Sequence, residues 1–293
     1  MKLKWSSISP IADAVLKKYR NDDPTKIKQG QHTKHIYAVY YRPSQRESAP
    51  TTGTSMSASE WTTFASEAAF NPKSGWDRRE LQVVRDSRLV PVGSIGKLSR
   101  TDKVASIVHS VRDAEVVARI QVTVKQSCAG PELYESLRNA KLMSNLAVRK
   151  WKVFSPEKGG TGPDSAVIYL CEPLTSVNVR NLIDELKDRL GENLRPLPSG
   201  APLGQQSFKG GISGFALPSK DYCEQKLRMG PEGIGSAGTT IAALIDRLCF
   251  RVAKRLSEVE NPEEHLRNRG GAEKYLMEFM KKMIADELSW TLT

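Results

Sequence analysis

The chain has no long apolar run: nothing in it approaches the roughly 18 to 20 consecutive apolar residues of a membrane span, so no membrane partner is expected. Cysteine is sparse and scattered. Cys128, Cys171, Cys223 and Cys249 form no Cys-x-x-Cys pair, which argues against a disulfide framework or a thiolate metal site and points to a reduced, cytoplasmic protein. Histidine is equally scarce. His32 and His35 stand three apart, but no third ligand follows at a recognisable distance, so no metal is expected. Missing as well from Met1-Lys2-Leu3-Lys4-Trp5-Ser6 is the apolar core of a Sec signal peptide; a type III export signal has too little pattern to be read either way. Basic residues are plentiful, with a formal net charge of +11, yet they make no dense run. The charge favours an anionic partner, whether phosphorylated substrate, membrane surface or nucleic acid. Without a basic tail, nucleic acid is the weakest of these.

At 293 residues, 39% hydrophobic and 26% charged, the chain resembles an ordinary globular protein and can bury a full core as one large domain or two small ones. We read residues 1–30 as an N-terminal helix and linker, and 31–293 as a single α+β domain. Ser9, followed by Pro10, Ile11, Val15, Leu16 and Tyr19, predicts a helix capped by Ser9 with Pro10 at its first position. Residues 35–42, rich in Tyr, Val and Ile, predict a strand buried on both faces. Residues 43–57, rich in Ser, Thr, Pro and Gly, predict a surface loop. A short helix from Ser59 places Trp61, Phe64, Ala65 and Ala68 on one face. Residues 81–92 read as a strand interrupted at Asp86-Ser87, and 98–112 fit either a helix or an extended piece. Residues 114–125 alternate cleanly, Ala118, Ile120, Val122 and Val124 against Val117, Arg119, Gln121 and Thr123, which predicts a half-buried strand with Arg119 and Gln121 on its polar face. Helices are expected over 131–146, 175–190 and 240–257, a strand over 211–217, and over 262–288 a helix pair or one helix broken at Gly270-Gly271. Antiparallel strands with helices between them make the fold class α+β, an antiparallel sheet flanked by helices.

The centre of the chain is Arg149-Lys150-Trp151-Lys152-Val153-Phe154, then a turn holding Gly159, Gly160 and Gly162, then Asp164-Ser165-Ala166-Val167-Ile168-Tyr169-Leu170. This reads as an antiparallel hairpin. With Trp151 and Val153 inward, Lys150 and Lys152 share the other face. Like charges at that spacing disfavour each other, and partial burial lowers an amine further. An amine lowered towards neutrality can serve as a general base; the alternative is a solvated strand face.

Gly233-Ile234-Gly235-Ser236-Ala237-Gly238 matches G-x-G-x-x-G, but Leu227 to Pro231 make a poor strand and the acidic residues near the required distance, Glu258 and Glu260, follow a helix. A dinucleotide site is therefore not expected. The helix start can still attract an anion, with Ser236, Thr239 and Thr240 as hydroxyl donors.

Lys150-Trp151-Lys152-Val153 with Ala166-Val167-Ile168-Tyr169-Leu170 resembles the pattern of phosphothreonine lyase effectors of enteric bacteria. The chain is more similar to type III effectors of the Hop A class, whose domain also occurs in lyases of class V lanthipeptide and thioamitide biosynthesis. The resemblance runs from Ile36 to the helix after Gly238 and includes Ile36-Tyr37-Ala38-Val39-Tyr40-Tyr41, Arg119-Ile120-Gln121-Val122 and Gly211-Ile212-Ser213-Gly214-Phe215-Ala216. It implies a phosphothreonine-lyase-like fold and β-elimination of phosphate from phosphoserine or phosphothreonine, giving dehydroalanine or dehydrobutyrine. Lys152 would take the α-proton, and Tyr169 would hydrogen-bond near the reacting carbon or the leaving oxygen. Asp164 would orient Lys152 or pair with Lys158, or else is a turn residue. Arg119, Lys150 and Lys158 would hold the phosphate, helped by Ser236 and by Arg228, a replacement for an arginine missing from its usual place. Gln121 would line the substrate, and Gly211 and Gly214 either admit a peptide backbone or simply turn the chain.

One departure stands out: where the enteric lyases carry a histidine acid, this chain has Gln121, as the Hop A class does. The acid is then Tyr169, His109 or His35, or the phosphate leaves unaided. The chemistry needs a base and cationic stabilisation but no cofactor. The expected partners are a phosphorylated precursor peptide and the Ser/Thr kinase that makes it. The alternatives are a secreted effector acting on a host phosphoprotein, or a non-catalytic adaptor.

Overall fold

The computed structural model describes residues 2–41, 56–70, 78–83, 89–91, 98, 102–140, 142, 144–157, 164–196, 205–231, 233–288 and 290–292. The chain divides into two units, Met1–Ser44 with Leu203–Gln206 and Leu217–Thr293, and Gln45–Pro202 with Ser207–Ala216. Strands are numbered β1 to β10 along the chain.

The first unit is helical. Its Trp5–Asn21 helix buries Trp5, Ile8, Ala12, Val15, Leu16 and Tyr19, a helical stripe that meets the Ala237–Ser257 helix. The start differs from the Ser9 cap that the sequence predicts. Lys4 stands at the N-cap and Pro10 lies inside the helix. Burial of Trp5 and Ile8 pulls one more turn into the helix and outweighs the backbone bond that Pro10 cannot make.

The strand expected over 35–42 is also overturned: Thr33–His35 is α-helical and Ile36–Tyr41 continues it as a π-helix. Ile36 N–H bonds to His32 O at 2.8 Å and Ile36 is buried, but Val39 is 47% exposed. β-Branched composition alone did not make a strand without a sheet to pack it. At the other end, Pro262–Asn268 and Ala272–Glu287 form a helix pair. The break falls at Gly270 and Gly271, whose positive φ of 82° and 96° suits glycine. Lys2–Leu3 (β1) and Thr291–Leu292 (β10) pair in parallel.

In the second unit, Arg78–Val83 (β2), Leu89–Pro91 (β3), Val104–Ser110 (β4), Ala118–Val122 (β5), Val148–Phe154 (β6), Ala166–Leu170 (β7), Gln206–Lys209 (β8) and Ile212–Ala216 (β9) form one sheet of order β3-β2-β4-β6-β7-β5-β9-β8. Its registered pairings are antiparallel. The α+β class and the antiparallel pairing of the central hairpin are as the sequence predicts, and within 98–112 the extended alternative is met by β4.

One face carries Ile107, Ile120, Val122, Trp151, Val153 and Ile168 into a core with Trp61, Leu133, Leu137, Leu182 and Leu186. Those last residues come from the Ala58–Phe70, Pro131–Asn139 and Val177–Leu190 helices. The first of these starts with a capping box: Ser57 Oγ accepts from Glu60 N–H, and Glu60 Oε2 accepts from Ser57 N–H at 2.8 Å. The middle helix ends at Asn139, short of the expected 146. β5 is buried along its whole length, where a half-buried strand was expected. Most of the loop 43–57, the glycine-rich turn 158–163 and Asp86-Ser87 lie outside the described residues.

Inside the helical unit, Asp246 is fully buried. Its carboxylate accepts from Tyr19 Oη at 2.9 Å, Gly30 N–H at 2.5 Å and His32 N–H at 3.0 Å, which ties the 28–32 turn to the Ala237–Ser257 helix. Burial is the largest influence on this carboxyl and raises its pKa; the three donors lower it, and the net is a rise. A carboxyl with a folded value above its unfolded one contributes fully below the unfolded value and progressively less as pH rises through the folded one. Asp246→Ala is expected to lower the unfolding free energy by about 2–4 kcal/mol in urea denaturation. The gap between wild type and Asp246→Asn should narrow as pH rises from below the ordinary carboxyl range. A gap that widens over that interval contradicts the assignment.

Candidate functional site

The face of the sheet opposite that core is polar, and register decides what meets there. β6 turns Trp151 and Val153 into the core, so Lys150 and Lys152 project from the other side. Lys150 lies across from Tyr169 of β7, and Tyr169 lies across from Arg119 of β5. This places Lys150, Tyr169, Arg119 and then Phe215 of β9 in one row across four strands. The next row runs Val108, Lys152, Val167, Gln121 and Ser213. At the usual strand spacing of about 4.8 Å, the rows put three cations around one phenol.

Lys150 Nζ sits 4.6 Å from the centroid of the Tyr169 ring. Lys152 Nζ is 5.9 Å from that centroid and 4.5 Å from the Phe154 ring. Among the described residues, no carboxylate forms an ion pair with Arg119, Lys150 or Lys152. Arg119 is 8% exposed and its buried Nε has no hydrogen-bond partner. A desolvated guanidinium with an unused donor can accept an anion, because its planar fork matches two oxygens of a phosphate.

The ionisable groups respond to this crowding. Burial pushes the Tyr169 phenol up, but Lys152, Arg119 and Lys150 together outweigh it, and the phenol ends below its ordinary value. Burial is also the main influence on Lys150 and lowers its amine; Tyr169 and Glu80 pull it back up, while Arg149 and Lys152 add to the lowering. The lowered lysine of the hairpin is thus Lys150.

The remaining candidates are dispersed. Gln121 shares the Lys152 row and is 3% exposed. Asp164 precedes β7 in phase with the core-facing Ala166, and among the described residues it makes no ion pair with Lys152. Lys158 lies outside the described residues.

The two glycines are occupied by the protein's own atoms. Gly211 has φ +95°, and a Cβ there would stand 2.5 Å from Arg195 O and 2.7 Å from Thr123 O; one on Gly214 would stand 2.6 Å from Phe208 Cε2. Arg228 and Ser236 belong to the helical unit. Arg228 is exposed with φ 56°, and the Ser236 hydroxyl caps the Ala237–Ser257 helix by accepting from Thr239 N–H. The residues before that cap contain a π-helix, Tyr222–Lys226, and not the strand a dinucleotide fold requires.

Two histidines were candidates for the acid. His109 is in register with Trp151, stacks on its indole at 4.0 Å and bonds to Tyr134 Oη at 3.1 Å, so it serves the core side of the sheet. His35 belongs to the helical unit. Glu80, Phe154 and Phe215 are neighbours of the cations that the sequence reading did not pick out. Glu80 is two strands from Lys152 through Val108, a placement no local pattern reveals.

No protein-family model matches the chain, and no curated protein matches it. Among solved structures it is similar to an effector protein from Pseudomonas syringae pv. syringae strain 61, at 19% identity and a TM-score of 0.51 over 96% of this chain and 92% of that one. An effector protein from Pseudomonas syringae pv. tomato strain DC3000 matches at 17% identity and a TM-score of 0.51 over 93% and 97%. At these identities the likeness is one of fold. The type III effector/phosphothreonine lyase OspF from Shigella flexneri matches at 11% identity and a TM-score of 0.31 over 73% and 91%, and that match carries no argument here.

An uncompensated buried cation costs stability until an anion arrives. Arg119→Met is therefore expected to melt at a higher temperature than wild type in phosphate-free buffer and to gain less from added inorganic phosphate. A ligand at a hundred times its Kd stabilises by about 2.7 kcal/mol, which calorimetry resolves. Equal gains in both proteins would remove Arg119 from the anion site.

Proposed function

We propose that this protein is a lyase that removes phosphate from phosphoserine or phosphothreonine side chains by β-elimination. The observation that carries the reading is the buried Arg119, whose Nε has no hydrogen-bond partner, in one cluster with Lys152 and a Tyr169 phenol of lowered pKa. The Arg119 guanidinium supplies the planar fork a phosphate dianion needs, and the lysine–tyrosine pair supplies acid and base.

In the proposed reaction the phosphoester oxygens lie on Arg119. Lys152, as the free amine, takes the α-proton. The Cα–H electrons form the Cα=Cβ double bond as the Cβ–O bond breaks, and Tyr169 protonates the departing oxygen, so inorganic phosphate leaves. The products on the enzyme are a Lys152 ammonium and a Tyr169 phenolate. The three cations stabilise that phenolate, and transfer of one proton from Lys152 to Tyr169 restores the starting state. Gln121, where a histidine acid would otherwise stand, then needs no proton to give. No water, metal or cofactor is consumed by this sequence of steps.

The substrate we assign is a phosphorylated peptide supplied by a Ser/Thr kinase, in a lanthipeptide-type maturation. A second reading, a secreted effector acting on a host phosphoprotein, is favoured by the fold shared with proteins named as effectors.

Incubation with phosphothreonine and phosphoserine peptides should give products lighter by the elements of phosphoric acid in mass spectrometry, and Lys152→Ala should lower the rate by at least about a hundredfold. Elimination from a folded phosphoprotein but not from peptides selects the effector reading. No elimination from any phosphorylated substrate leaves a binding protein, and undiminished turnover by Lys152→Ala removes the assigned base.

A further inference from the structure

The two lysines of β6 are equivalent in the sequence but not in the fold. Lys152 Nζ stands 5.9 Å from the centroid of the Tyr169 ring, whereas Lys150 lies over its face at 4.6 Å. A register shift between Val148 and Lys150 makes Arg149 the extra residue of a bulge, a device that re-aims the side chain beside it. Arg149 is fixed from both sides: its carbonyl accepts from Val111 and Arg112 N–H, at 2.9 and 3.2 Å, and its Nε donates to Ala114 O at 3.1 Å. The aim of Lys150 is thereby set by backbone hydrogen bonds. Half-buried, Lys150 makes no ion pair among the described residues, and its closest described partner is the aromatic face.

From this geometry we infer that Lys150 is a positioning residue which acts through Tyr169, holding the ring by a cation–π contact, and is not itself a ligand of the phosphate. The inference deepens the lyase reading and rests on it for the word catalysis, but the contact itself can be tested without turnover. A desolvated ammonium over a ring contributes through orientation and through its charge. Loss of that charge should raise the titration point of the phenol, while the anion remains with Arg119.

The test uses Lys150→Met, an uncharged unbranched side chain one atom shorter that can still pack on the ring, and Lys150→Arg, which restores the cation. Tyr169→Phe identifies the Tyr169 step in an ultraviolet phenolate titration. Lys150→Met should move that step to higher pH, Lys150→Arg should return it towards wild type, and the affinity for inorganic phosphate by calorimetry should change less than about twofold. With a phosphothreonine peptide, kcat should fall about tenfold in Lys150→Met with KM unchanged, an effect of the size a cation–π contact supports. In the Tyr169→Phe background, the same substitution should cost nothing further.

A phosphate affinity or KM weakened tenfold or more, with the phenol step unmoved, overturns the inference and makes Lys150 a phosphate ligand. Full additivity with Tyr169→Phe overturns it as well. If wild type eliminates nothing, the lyase reading fails, yet the titration and phosphate binding still decide what Lys150 touches. Should Lys150→Met not fold, Lys150→Gln replaces it in the same titration, and a phenol step left at its wild-type position overturns the contact.

Discussion

Everything in the sheet unit that bears on function follows from one electrostatic arrangement, the gathering of Arg119, Lys150 and Lys152 around the Tyr169 phenol with no carboxylate in ion-pair range among the described residues. Neighbouring cations at roughly strand spacing repel by a few kcal/mol at the effective dielectric of a protein, and Arg119 bears a desolvation cost besides. The fold withstands this because the opposite face is a continuous apolar core. Trp151, Val153, Ile120, Val122 and Ile168 fix the register, and a slip of one residue would exchange them for the cations. The dry face thus holds the charged one in a geometry that it would not choose alone.

That division explains what could be read in the sequence. Alternation is local, so the hairpin and the outward faces of Lys150 and Lys152 were legible, as was the face of Arg119 and Gln121. The burial of that face was not legible, because alternation assigns a side chain to a face and says nothing of what packs over it. The hairpin also brings Lys150 and Tyr169 together through a short connection. Arg119 joins them only because β5, which precedes both hairpin strands, pairs with the far edge of β7. No spacing in the sequence signals such a return, and for the same reason Glu80 and Phe215 went unnoticed. Resemblance of short motifs in their order along the chain pointed to Arg119 where periodicity could not.

The errors in the helical unit have the converse cause. Ile36 to Tyr41 has the composition of a strand, but composition becomes structure only where a neighbour offers a ladder; here Ile36 packs on helices and the segment continues the turn begun at His32. Ser9-Pro10 carries a good local start signal, yet the buried Trp5 and Ile8 lie upstream of it. In both places tertiary burial overrode a local preference worth less than a kcal/mol or so per residue. The Gly270-Gly271 break was legible because positive φ is a local demand that glycine meets.

The proton balance of the proposed reaction gives the lysine–tyrosine contact its meaning. A base and an acid held apart would each have to be reset through solvent after every turnover, and Gln121 can do neither task. When the two stand in one cluster, the proton gained by Lys152 is the one Tyr169 lacks, and a single transfer between them closes the cycle. Such a transfer is easy only if amine and phenol have similar affinities for the proton. Ordinary tyrosine and lysine are already close; burial drives the phenol away from its charged form, and the surrounding cations pull it back below its ordinary value. The same positive field that draws in the phosphate therefore makes Tyr169 a better acid, so that substrate binding and proton delivery draw on one set of charges.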